Sequence, residues 1–119
     1  EQNEFYNTQP FSILIEYKAN KIVDDAVIGV AIYRDDQTYI YGSNTLIDYS
    51  EPTKLNTRGK IRLNIERLPV IAGNYTMDLA FHKPDGFNYD FWREVCLITI
   101  RNNVSEVGIV SVPHNWIID

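Results

Sequence analysis

Hydrophobic and polar residues alternate with a period of two through most of the chain, the pattern of strands with one buried face. In FSILIEYKA, Phe11, Ile13, Ile15 and Tyr17 share one side. In VIGVAIYR, Ile28, Val30 and Ile32 share one side and Ala31 and Tyr33 the other. TYIYGSN places Tyr39 and Tyr41 together, opposite Ile40. GKIRLNIE sets Ile61, Leu63 and Ile65 against Arg62, Asn64 and Glu66. NYTMDLAFH sets Tyr75, Met77, Leu79 and Phe81 against Thr76, Asp78, Ala80 and His82. EVCLITIR is apolar on both sides, as expected of a central strand. EVGIVSV reads as the last strand, before the tail PHNWIID.

Turn residues separate these runs. RDDQ (34–37) is short enough for a hairpin, YSEPTKLNTRG (49–59) is the longest polar link, and Pro84-Asp85-Gly86 is a turn. Ile22, Val23, Ala26, Val27 and Val30 also fall at helical spacings. Their β-branching and the Asp24-Asp25 pair favour a strand there. About seven strands with short turns predict an antiparallel β-sandwich. Tyr75, just after a glycine at a strand start, fits the tyrosine corner of immunoglobulin-like folds. No repeat or linker divides residues 1–119, so a single domain is expected.

Composition narrows the function. The chain carries 11 basic and 16 acidic residues, a net charge of −5, and no block of Lys or Arg. General nucleic-acid binding is therefore disfavoured. No apolar run reaches the roughly 18 residues of a membrane span, so membrane insertion is not expected. The single cysteine, Cys96, reads as a small hydrophobe of a strand. Phosphate-loop, dinucleotide, zinc-protease and serine-elbow motifs are missing. His82 and His114 lie far apart, and no cofactor or metal is expected. Asp78, Asp90 and Glu94 could supply the carboxyl pair of a glycosidase, but nothing in the sequence shields one of them to hold a proton. The reading is therefore non-enzymatic.

Binding has more to work with. Sugars offer apolar C–H faces to flat rings and hydroxyls to polar side chains. Tyr33, Tyr39, Tyr41, Tyr89 and Trp92 are candidate rings. Asp78 and His82, on the side of their strand away from Met77, Leu79 and Phe81, are candidate polar partners, with Arg34 and Asn88 as further ones.

GVAIYRDDQTYIYGSNT (29–45), RLPVIAGNYTMDLAFH (67–82), FNYDFWREVCLITI (87–100) and EVGIVSVPHNWII (106–118) resemble, in order and spacing, the C-terminal carbohydrate-binding domain of Wzt-type polysaccharide ABC transporter ATPases. FSILIEY near the start extends the resemblance to nearly the whole chain. The resemblance implies an immunoglobulin-like sandwich that dimerises by exchanging a C-terminal strand. It implies recognition of an O-antigen-like glycan for export, at the cytoplasmic face of the membrane. The partners it implies are a parent ATPase domain, outside this sequence, and a membrane-spanning transporter subunit. The family has a strand ahead of the one at Phe11; either EQNEFY is that strand or the chain begins within it. The apolar runs VGIVSV and WII add physical support for a homodimer, since a partner would cover them. A structural or protein–protein sandwich is the alternative function, and a glycoside hydrolase a more distant one.

Overall fold

The computed structural model describes residues 3–86 and 88–118, and their side chains except those of 88 and 90–95. Eight strands and one short helix follow in order: β1 (Glu4–Tyr6), β2 (Phe11–Lys18), β3 (Val23–Arg34), β4 (Tyr39–Asn44), α1 (Thr45–Tyr49), β5 (Thr53–Leu55), β6 (Arg58–Ile65), β7 (Gly73–His82) and β8 (Asn88–Arg101). They form a β-sandwich of unequal halves. One sheet runs β1-β8-β7-β3-β4, with β5 added beside β3; the other contains β2 and β6. All pairings are antiparallel except β1 with β8.

The alternation in the sequence is the packing. On β3, Ile28, Val30 and Ile32 turn to the space between the sheets; on β7, Tyr75, Met77, Leu79 and Phe81 do so. Phe11, Ile13, Ile15 and Tyr17 of β2, with Ile61, Leu63 and Ile65 of β6, meet them from the other sheet. Phe5 of β1 stacks on Phe11, centroids 4.3 Å apart. Asn7, buried in the β1–β2 turn, donates its Nδ2 to the Val70 carbonyl at 3.1 Å. The Tyr75 hydroxyl donates to the Ile71 carbonyl at 2.7 Å, four residues upstream, which is the tyrosine-corner bond. Burial pushes the Tyr75 phenol up, and the same burial makes the bond worth keeping.

Several local expectations are corrected. The strand reading of 22–30 holds, with β3 beginning at Val23 and running on to Arg34. The polar link 49–59 contains β5 and the start of β6, and α1 ends on its first residue, Tyr49. EFY of the opening stretch does form a strand, in parallel register with Thr99–Arg101. The closing runs VGIVSV and WII form no strand within the chain. A bridge of Val70 with Val110, backbone bonds to Pro69 and Ile71, and the Arg34 guanidinium on the Gly108 carbonyl hold the start of this segment, while Trp116, Ile117 and Ile118 are over 80% exposed. Among the described residues, 112–118 pair with no strand of the same chain. Among the described residues no helix is long and apolar enough to cross a membrane.

The face assignments make a stability prediction. Met77→Ala should cost about 2–5 kcal/mol, because a fully buried side chain leaves a cavity. Leu14→Ala, on the outer side of β2, should stay within about 0.5 kcal/mol. Urea unfolding measures both, and comparable losses would contradict the assigned faces.

Candidate functional site

A shallow hollow of about 250 Å³ lies on the large sheet, lined by residues of β3, β4, α1 and β7. Its lining includes Gly29 and Ala31 of β3, Ala80 of β7, Tyr39 and Asn44 of β4, and Asp78. The strand register explains the shape. Gly29 pairs with Ala80 and with Asn44, and Ala31 pairs with Asp78 and with Gly42. Directly opposite residues of an antiparallel pair stand on the same side. Small residues therefore gather into a floor, and longer side chains rise around it.

The wall on one side is aromatic. Tyr33 and Tyr39 stack with centroids 5.1 Å apart and planes 24° from parallel. Tyr39 also leans over Gly42, whose missing side chain makes the space: a Cβ there would stand 1.9 Å from the Tyr39 hydroxyl. Tyr39 is 62% exposed, so much of its ring remains open to solvent.

Tyr39 and Tyr41 do not share a face as the simple alternation predicts. A bulge at Ile32/Tyr33 pairs Tyr33 with Tyr39 but Ile32 with Tyr41. The extra residue, Ile40, turns inward against the core, and Tyr39 comes round to the hollow. Tyr41 belongs by register to the Ile32 side and does not line the hollow.

Asp78 and His82 do lie along one side of β7, pairing with Ala31 and Val27. The His82 Nδ1 is 2.7 Å from the Lys83 carbonyl. A carbonyl only accepts, so Nδ1 carries the proton and Nε2 of the neutral ring is left as an acceptor. Nε2 would stand 3.8 Å from a Cβ on Gly29, which puts His82 at the border of the hollow.

Other candidates lie elsewhere. Tyr89 donates its hydroxyl to Asp25 at 2.5 Å, and the Lys83 ammonium sits 5.9 Å from its ring centroid. The hydrogen bond to the Asp25 carboxylate pushes the Tyr89 phenol up to about 12, because ionising it would set two anions side by side. Tyr89 thus braces the start of β3 and is not part of the hollow. Arg34 is occupied by Asp36 at 2.8 Å, by Thr38, and by the Gly108 carbonyl at 3.1 Å. Its guanidinium holds the Asp36 carboxyl well below the usual carboxylate range. Trp92 pairs with Leu79 through the backbone; its side chain, like those of Asn88, Asp90 and Glu94, lies outside those described. Among the described residues no group of three or more His, Cys, Asp or Glu comes together around a metal-sized space.

The model of the Wzt C-terminal domain family matches residues 1–112. The chain belongs to that family. Its members are domains of transporter ATPases. A solved structure described as the crystal structure of the C-terminal domain of Wzt superposes with a TM-score of 0.82. It covers 97% of this chain and 72% of its own at 14% identity, a likeness of fold. Among curated proteins none matches.

The Wzt-type domain also contains a feature that periodicity did not reveal. Asn44 caps α1, accepting from the Ile47 amide at 2.8 Å, and Thr45 accepts from the Ile28 amide at 3.1 Å. These bonds turn the chain out of β4 and place Ile47 at the hollow. The sequence signal is a capping residue ahead of TLIDY, too short a run to show a helical period.

Proposed function

We propose that this domain binds a cell-surface polysaccharide of the O-antigen type, without breaking bonds, as the substrate-recognition domain of an ABC exporter ATPase. The observation that carries the reading is the hollow itself: a floor of Gly29, Ala31 and Ala80 beside the open Tyr39 ring, with Asp78 and Asn44 at its sides. A pyranose needs this combination, an aromatic surface for its C–H face and acceptors or donors for its hydroxyls. The volume is below the about 300–1,000 Å³ of pockets that enclose small molecules. It suits a shallow grip on a sugar or two of a long chain. Among the candidates this geometry favours Tyr39 and Asp78 as contacts, with His82 at the border and Tyr33 backing the Tyr39 ring. The parent ATPase domain would couple recognition to export at the cytoplasmic face of the membrane.

Two substitutions probe the hollow without touching the core. A Cβ on Gly29 would meet its neighbours at 3.6–3.8 Å, ordinary contact, so Gly29→Ala raises the floor without a clash. Gly42→Ala would displace the hydroxyl end of Tyr39, the far end of a largely exposed side chain. Each should weaken binding of the surface polysaccharide about tenfold or more, and Tyr39→Ala at least as much, in isothermal titration calorimetry. Tyr41→Ala should leave affinity unchanged. Equal affinities for wild type and the three hollow variants would refute the site; cleavage of the polysaccharide would refute the binding-only role.

We further propose that the domain acts as a homodimer in which residues 109–118 pair with a second copy. The support is a tail that is apolar, extended and uncovered: Val112, Trp116, Ile117 and Ile118 all face solvent in a single chain. The two-stranded sheet meanwhile offers unpaired edges. A dimer would also hold two weak glycan sites on one polymer. Sedimentation equilibrium should give a dimer at micromolar concentration and a monomer once residues 109–118 are removed. A monomeric intact chain would rule the arrangement out.

A further inference from the structure

The outer side of the two-stranded sheet differs in charge from the rest of the molecule. The β2–β6 register sets Leu14 opposite Arg62, Glu16 opposite Lys60, and Lys18 opposite Arg58. All six are exposed, while Ile13, Ile15, Ile61 and Leu63 between them turn to the core. Within the paired strands four cations and one carboxylate share one side; with Glu66, exposed just past β6 and on that side by the alternation, the local charge is +2 on a chain of net −5. Among the described residues none of these four cations takes part in an ion pair.

We propose that this face is a docking surface for the anionic headgroups of a phospholipid bilayer. Three features favour a bilayer over other anions. Three cations, Arg58, Lys60 and Arg62, follow one another along β6 over about 14 Å and Lys18 stands beside Arg58 on β2, with no cleft between them. A single phosphate is held by converging donors or a backbone nest, which a flat pleated face does not provide. A duplex nucleic acid is read by an element that enters a groove, and none projects from this face. The acidic surplus does not cancel the attraction. Asp24, Asp25, Asp35, Asp36 and Asp78 belong to the other sheet and its hairpin turn. Packed sheets lie about 10 Å apart, beyond the about 8 Å screening length at physiological salt. The family's attachment to transporter ATPases also brings such a face near a membrane. This proposal does not depend on the glycan reading.

The test is flotation of the 119-residue chain with vesicles, either pure phosphatidylcholine or about one-third phosphatidylglycerol. Binding is expected to the anionic vesicles alone and to disappear at about 0.5 M salt. A cation near an anionic surface strengthens binding roughly fivefold. Replacing it by an acid should therefore weaken binding about twentyfold. Lys60→Glu should show that loss. Lys83→Glu, the same charge change on the β7–β8 turn, should change binding less than about threefold. Circular dichroism confirms that both variants fold. Inorganic pyrophosphate at millimolar concentration should not compete.

Four results would overturn the proposal: no preference for anionic vesicles, equal losses in the two variants, complete competition by pyrophosphate, or binding to a DNA duplex in place of vesicles. Aggregation of Lys60→Glu with vesicle binding unchanged would show instead that the cations only guard the open edges of the sheet.

Discussion

The pairing of β3 with β7, from Val27–His82 to Arg34–Tyr75, fixes almost everything else. It sends Ile28, Val30 and Ile32 to the interior together with Leu79 and Met77. By the same alternation it sends Gly29, Ala31, Asp78 and Ala80 to the opposite side. A slip of one residue would exchange the two sets, exposing the core and burying Asp78. The energy of burial that holds the core in place therefore also holds the floor of the hollow in place. The bulge at Ile32/Tyr33 is the one departure, and it brings Tyr39 onto Tyr33 at the rim.

The second constraint is the inequality of the sheets. Six strands face two. The small sheet covers the core through Ile13, Ile15, Ile61, Leu63 and Ile65, yet it leaves edges unpaired and an outer side lined with cations. The chain ends in an apolar segment for which a single copy provides no cover. Tail and open sheet are complementary deficits, and the homodimer reading answers both. The large sheet meanwhile presents the hollow on its outer side, so ligand and partner need not compete for the same surface.

Much of the fold was legible from period two, because burial on one side of a strand leaves a direct trace in the residues. Ile61, Leu63 and Ile65 against Arg62 and Asn64, or Met77 and Leu79 against Asp78 and Ala80, needed no further information. Tyr75 and its corner bond were legible from a glycine and a strand start. What failed was what alternation cannot encode. A bulge changes the phase of one strand against another, so Tyr41 parted from Tyr39. A five-residue helix shows no period. The basic face joins Lys18 to Arg58 and Leu14 to Arg62, 40 and 48 positions apart, and no local window contains it. Tyr89 looked like a free ring until Asp25, far away in sequence, proved to hold its hydroxyl.

The site claim rests on small residues facing outward where a strand would ordinarily carry larger ones. Amide chemical shifts followed during titration with the surface polysaccharide test it most directly. Perturbations should gather at Gly29, Ala31, Gly42, Asn44 and Ala80, with none on β2 and β6. Shifts confined to the two-stranded sheet, or none at saturating glycan, would contradict the account.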